Sequence, residues 1–250
     1  MKPVVIVRFS PTEGPGHLAE FLDAEHIPWK LIRIDAGDAL PQSCDEYAGL
    51  AMMGGPMSVN DALPWISPLL ELIRDTAAAD VPMIGHCLGG QLIAKALGGK
   101  VSDNHCMEMG WHAVQLTDTP EARRWFGDIG QFTTFQWHYQ TFSLPPGTTQ
   151  VLRNDYCENQ AFVLGPHIGF QCHIEMTVPM VQDWCADVEA EVGTNSRGPS
   201  VQSVAAITQG LDARVRALNS LADRVYRHWL TNLQDTQGCG QDSRRQAAEL

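Results

Sequence analysis

Two rhythms of hydrophobic and polar residues alternate along the first hundred positions. Pro3 to Phe9 is a continuous apolar run, the mark of a strand buried on both faces. Helical spacing follows from Gly16 to Glu25, then a second strand from Trp29 to Ile34 and a third from Tyr47 to Met53, which ends at Gly54-Gly55-Pro56. From Pro64 to Ala79 the apolar residues Trp65, Leu69, Leu72 and Ile73 share one helical face, and Val81 to Gly85 reads as a fourth strand. A helix from Leu88 to Leu97 stops at Gly98-Gly99. Strand–helix alternation of this kind predicts a parallel sheet with helices on both faces.

The middle of the chain changes rhythm. Trp111 to Leu116, Phe132 to Trp137, Gln150 to Arg153, Gln160 to Leu164 and His167 to Gln171 are short runs divided by turn signals such as Leu144-Pro145-Pro146-Gly147. They predict antiparallel strands and hairpins added to the sheet. After Thr177 helical spacing returns, with one helix from Val178 to Val192. A second helix carries the apolar stripe Leu211, Val215, Leu218, Leu221, Val225 and Trp229. The expected organisation is one main domain over residues 1–193, a helical extension over 194–234 that opens on the linker TNSRGPS, and a polar, disordered tail over 235–250.

Composition narrows the function without naming it. The chain of 250 residues carries a formal charge of −12, which disfavours nucleic acid as the main partner, since a polyanion requires a basic surface. No apolar stretch reaches the roughly 18–20 residues that cross a bilayer, and the N-terminal run Val4 to Val7 is too short for a secretory core. Seven cysteines without a Cys-x-x-Cys pair predict reduced cytoplasmic thiols rather than a disulfide framework or a zinc site.

The candidate chemistry centres on GHCLGGQ, residues 85–91. Gly-x-Cys-x-Gly between a strand and a helix has the form of a nucleophile elbow, with sulfur in place of a serine oxygen. The amide dipoles of the following helix would favour thiolate over thiol. By itself the motif fits a buried structural cysteine equally well. A cysteine nucleophile needs a base and the base an orienting group. GFQCHIEMT offers His173 and Glu175, two apart and so on one side of an extended segment. MGGPMSVND offers Gly55, an unhindered N–H for a developing oxyanion, with the Leu88 N–H as second donor.

The segments MGGPMSV, GHCLGGQLIAKALGGKV and FQCHIEMT, in this order and spacing, resemble the class I, triad-type glutamine amidotransferase domain, especially the version in GMP synthase. The resemblance runs from about residue 45 to 180 and implies a flavodoxin-like three-layer α/β sandwich with a mostly parallel central sheet. It implies that Cys87 attacks the side-chain amide of glutamine to give a γ-glutamyl thioester. His173 then moves the protons and Glu175 orients it, with no metal or cofactor. Gln91 and the backbone of Trp137, His138 and Tyr139 match positions that hold the substrate, His138 with a structural role as the other reading. Two positions depart from the pattern. Ile174 stands where the family usually has proline, and Gln140 stands where aspartate is common, which bears on the substrate's amino-group contacts.

After His173-x-Glu175 only about 75 residues remain, without a Gly-rich nucleotide loop. The expected protein is a glutaminase that serves a separate synthetase subunit, with a stand-alone γ-glutamyl peptide or conjugate hydrolase as the alternative. A non-catalytic binding protein on the same scaffold is the third reading. The C-terminal helices are expected to cap the sheet or to form a homodimer.

Overall fold

The computed structural model describes residues 1–191 and 198–235. Among these, nine strands form one sheet in the order β2-β1-β3-β4-β9-β8-β7-β5-β6. The parallel half comprises β1 (Val4–Arg8), β2 (Trp29–Arg33), β3 (Gly49–Met52), β4 (Met83–His86) and β9 (His167–Phe170). The antiparallel half comprises β5 (Val101–Leu116), β6 (Gln131–Phe142), β7 (Thr149–Arg153) and β8 (Ala161–Leu164).

The continuous apolar runs are explained by layering. Along β1, Val4 and Ile6 pack on one face of the sheet while Val5 and Val7 pack on the other. Helices α2 (Ile66–Ala78) and α3 (Leu88–Ala96) cover one face through Leu69, Leu72, Ile73, Leu92 and Ile93. The opposite face is covered by α1 (Gly16–Ala24), α4 (Pro120–Phe126), α5 (Val178–Glu191), α6 (Val204–Thr208) and α7 (Leu211–Asp235). This is the flavodoxin-like three-layer sandwich.

Several expectations shift. Expected strands at 111–116 and 132–137 lengthen into β5 and β6, a long hairpin whose register slips between Asp103 and Glu108. The chain around His138 and Tyr139, beyond the expected strand end at Trp137, therefore also lies within β6. Ser102 to His105 are polar and mostly exposed, so apolar periodicity gave no sign of a strand there. Helix α4, unexpected from hydrophobic spacing, is announced by capping alone: the Thr119 side chain accepts from the Ala122 N–H, and Pro120 opens the first turn. Helix α7 runs through Asp235, one residue into the expected tail; residues 236–250, Val192 and most of the 194–200 linker lie outside the described residues.

The seating of α3 depends on two glycines. A Cβ on Gly89 would collide with the Met52 carbonyl of β3, and one on Gly90 with the Phe170 carbonyl of β9. Both obstacles are backbone and cannot rotate away. Gly89→Ala or Gly90→Ala is therefore expected to cost about 2–3 kcal/mol of stability, read as a lower urea midpoint. Gly14→Ala, where a Cβ meets nothing, should leave the midpoint unchanged.

Candidate active site

The carboxyl ends of four adjacent parallel strands, β1, β3, β4 and β9, lead into the segments that carry the candidate chemistry. That edge is where open α/β sheets bind ligands. A cleft of about 470 Å³ opens there, lined among others by Glu13 after β1, Gly55 after β3, Cys87 after β4 and Tyr139 of β6.

Cys87 sits between β4 and α3 with φ +48° and ψ −105°, a conformation that costs an ordinary residue about 1–3 kcal/mol. The turn is held by the Gly89 N–H bonding to the Met53 carbonyl (3.1 Å) and the Gln91 N–H bonding to the Cys87 carbonyl (2.9 Å). Its neighbours are thus small chiefly so that α3 can lie against the sheet. The cysteine side chain is buried at the floor of the cleft, 7% exposed.

His173 follows β9 and is pinned by a reciprocal backbone bridge to Phe135 of β6, its N–H to Phe135 O at 2.9 Å. Its Nδ1 lies 2.6 Å from Glu175 Oε1. Burial opposes charge on the ring, but the Glu175 carboxylate, the nearby Cys87 sulfur and the Glu175 hydrogen bond outweigh it and hold the pKa well above the ordinary histidine value. Trp184 of α5 stands edge-on to the imidazole at 5.0 Å and bonds through its indole N–H to the Thr12 carbonyl. Burial pushes the Glu175 carboxyl up, yet His86 and His173 together bring it down to about 2. Ile174, in place of proline, is fully buried in the core, so packing fixes the turn instead of a ring.

The other expected residues divide. Gly55 lines the cleft beside Leu88: a Cβ on Gly55 would lie 2.6 Å from Leu88 Cδ2. Neither the Gly55 nor the Leu88 N–H meets a protein acceptor among the described residues. Gln91 is buried on α3 and donates to Gln171 Oε1 (3.1 Å), and Gln171 Nε2 in turn donates to Cys87 Sγ (3.6 Å). Sequence reasoning missed Gln171, although it lies two residues before His173 on the same extended segment. Trp137 and the exposed Tyr139 line the mouth. His138 turns inward, with Nε2 3.0 Å from Glu108 Oε2 and Nδ1 3.0 Å from the Gln140 carbonyl, so its ring nitrogens are engaged by protein groups. Gln140 accepts from Ser58 Oγ (2.8 Å).

Glu108, His138 and Cys157 bring three ligand-type atoms within 4.8 Å of one another. Asn154 and Gln160 already donate to the two Glu108 oxygens, and burial pushes the Cys157 thiol up to about 12. These are the features of a satisfied polar network rather than of a waiting cation site. No helix among the described residues is long and apolar enough to cross a membrane.

A cysteine at a strand-to-helix elbow and a hydrogen-bonded histidine–glutamate pair thus stand together at the carboxyl edge of a three-layer α/β sandwich. The comparisons make this specific. The model of the family "Glutamine amidotransferase class-I" matches residues 19–180, and the chain belongs to that family. The crystal structure of a glutamine amidotransferase from Methylobacillus flagellatus is 50% identical and superposes with a TM-score of 0.91, covering 94% of this chain and 96% of that one. The glutamine amidotransferase-like protein YfeJ of Salmonella typhimurium is 31% identical over 72% of this chain and 77% of its own length. A GMP synthase of Aeropyrum pernix is 30% identical over 76% of this chain, a match that spans 40% of that longer protein.

A further cleft residue, Glu13, carried no signal in the sequence. The space that a Gly54 side chain would fill is occupied by the Glu13 carboxylate and, at 3.0 Å, by His173 Cε1. Glu13 has no side-chain hydrogen bond among the described residues, and burial raises its pKa to about 7, with His173 lowering it and Glu175 adding to the rise. A carboxyl whose folded-state pKa exceeds its unfolded value costs nothing below about 4.5 and progressively destabilises as pH rises through about 7. Glu13→Gln should therefore stabilise the protein at pH 8, by about 1–2 kcal/mol after allowing for screening through the open cleft, and by almost nothing at pH 4. Urea midpoints at the two pH values measure this; an equal shift at both would refute the assignment.

Proposed function

We propose that the protein hydrolyses the γ-amide of glutamine, or of a closely related γ-glutamyl compound, through Cys87, His173 and Glu175. The observation that carries this reading is the imidazole of His173, held at 2.6 Å by the Glu175 carboxylate and near enough to Cys87, on the cleft lining, for that sulfur to help raise the ring's pKa. The imidazole, its pKa held high by Glu175 and the Cys87 sulfur, holds the proton taken from the thiol, and the thiolate sulfur bonds to the amide carbon. The carbonyl oxygen gains negative charge and turns toward the free N–H groups of Gly55 and Leu88. The tetrahedral intermediate collapses, the C–N bond breaks, and the imidazolium gives its proton to the departing amine. Water, deprotonated by the same imidazole, then cleaves the γ-glutamyl thioester to glutamate and the free thiol. Gln171 and Gln91 back the nucleophile, while Trp137 and Tyr139 flank the substrate and His138 braces their strand from behind.

Two fates of the released amine follow. The likeness to the glutaminase-bearing part of a longer GMP synthase supports delivery of ammonia to a separate synthetase. The cleft favours a second reading, hydrolysis of larger γ-glutamyl conjugates without any partner. Its volume of about 470 Å³ lies within the range of clefts for whole small molecules, and Met57, Met107, Trp137, Tyr139 and Trp184 give it an apolar rim.

Cys87→Ala and His173→Ala should each abolish turnover, by about 10⁴-fold or more, because the two act as a unit. Glu175→Gln should be about 10–100-fold less severe, since it orients rather than transfers. Equal losses in all three would contradict this ranking, and absence of Cys87 labelling by a diazo-ketone glutamine analogue would count against the reading as a whole. A panel of glutamine, γ-glutamyl dipeptides and γ-glutamyl amines, scored by kcat/KM for released amine, separates the two fates. Preference for conjugates over glutamine is expected of the stand-alone hydrolase.

A further inference from the structure

The residue before the nucleophile is a histidine that the mechanism above does not use. His86 ends β4 with its side chain directed to the opposite face of the strand from the cleft floor, and it is fully buried. Its ring lies parallel to Phe170 of β9 at 5.6 Å and edge-on to Tyr226 of α7 at 6.4 Å. His86 Nδ1 comes within 3.2 Å of Glu175 Oε2, the carboxylate oxygen that His173 does not take.

The unpaired polar atoms make this approach informative. Neither ring nitrogen of His86 nor Oε2 of Glu175 has a well-directed hydrogen bond among the described residues. Buried polar atoms without partners are costly, and two of these, His86 Nδ1 and Glu175 Oε2, lie 3.2 Å apart with opposite hydrogen-bonding needs. An aliphatic residue would fill the same site between Phe170 and Tyr226 without bringing any donor to Glu175.

We propose that His86 is a positioning residue, whose neutral ring presents Nδ1–H to Glu175 Oε2 and so holds the carboxylate ionised and aimed at His173. The carboxylate is then gripped on both oxygens by imidazoles from two neighbouring parallel strands, His86 from β4 and His173 from just beyond β9. Burial keeps the His86 pKa below the ordinary histidine value, so the ring acts as a dipolar donor and not as a second cation competing with His173. The ionisable groups that face it are Glu175 and His173 after β9 and Tyr226 of α7, whose hydroxyl is held well above its ordinary pKa by burial and then by Glu175 and Asp223. The Glu175 carboxyl is held far below neutrality and the Tyr226 hydroxyl far above it.

This inference rests on the proposed triad, and its test has one arm that does not need turnover. His86→Leu removes the donor and keeps an apolar filling; His86→Asn restores an N–H near the Nδ1 position. In the folded, substrate-free protein, proton NMR of the hydrogen on His173 Nδ1 should show a far-downfield resonance that persists in His86→Asn. In His86→Leu it should move upfield or be lost at a pH at least one unit higher than in wild type. In turnover, His86→Leu should lower kcat at least ten-fold, with little change in KM, and shift the acid limb of kcat/KM to higher pH by about one unit. His86→Asn should recover the larger part of the loss and the wild-type limb. Equal behaviour of the Leu and Asn variants, in either arm, would reduce His86 to packing and overturn the proposal. A wild-type protein with the expected resonance but no hydrolysis of any γ-glutamyl compound would instead sink the proposed function and leave the His86–Glu175 pairing standing. Should His86→Leu fail to fold, the resonance and pH limb of His86→Asn against wild type decide the matter: a displaced resonance with an unmoved limb is inconsistent with a donor role.

Discussion

The seating of α3 on the sheet is the constraint from which the rest of the site follows. With Gly89 against the Met52 carbonyl and Gly90 against the Phe170 carbonyl, the helix axis lies closer to β3 and β9 than side chains would allow. A helix that starts so near the strand it follows leaves the chain one residue in which to reverse. That residue is Cys87, and its positive φ is the geometric result. The strain is sustained because the backbone bonds on either side belong to the helix and to the β3 terminus, neither of which can yield separately. The same seating leaves the Leu88 N–H at the start of the helix without an intrahelical partner.

The second constraint is electrostatic. Glu175 is 1% exposed, and burial of a carboxylate without compensation would simply protonate it. Its compensation comes from imidazoles, His173 bonded to one oxygen and His86 3.2 Å from the other, which together bring its pKa down to about 2. A guanidinium in the place of His86 would neutralise the carboxylate more strongly and weaken its hold on His173. Glu13, across the imidazole, is the opposite case, a carboxyl with no donor that burial has pushed toward neutrality.

How much of this was legible in the sequence varies with the kind of signal. Much of the parallel half was readable because strands buried on both faces leave continuous apolar runs, and β1, β3 and β4 fall where those runs fall; β9, expected among the antiparallel strands, instead pairs parallel with β4 while β8 pairs with it antiparallel. The long β5–β6 hairpin was half-hidden, since its outer part carries polar residues that face solvent on both sides. Cys87, His173 and Glu175 stood out through spacing and through the motifs around them. His86 and Gln171 sat inside those same motifs yet carried no separate signal, because what matters for them is which strand lies beside which, information set by the sheet order rather than by local pattern. Glu13 is more distant still: it reaches the imidazole from the loop after β1, with no periodic or motif-based reason to point there. Tyr226 belongs to the apolar stripe of α7 but falls one residue after Val225, where a single-stripe reading passes over it.

The family match ends at residue 180, but the structural support of the site does not. Helix α7 lies directly on the parallel strands, where Gly49 of β3 leaves room for Trp229 and Leu233. Asp223 of the same helix binds His17 of α1 at 2.8 Å, and one turn further Tyr226 closes the apolar chamber around His86. Without that cover, water would reach the side of Glu175 that faces away from the cleft. The carboxylate would then be solvated in both protonation states alike, and its pull on His173 would weaken with the local dielectric. The extension thus belongs to the electrostatics of the site as much as to its packing: it keeps dry the carboxylate that is paired with His173.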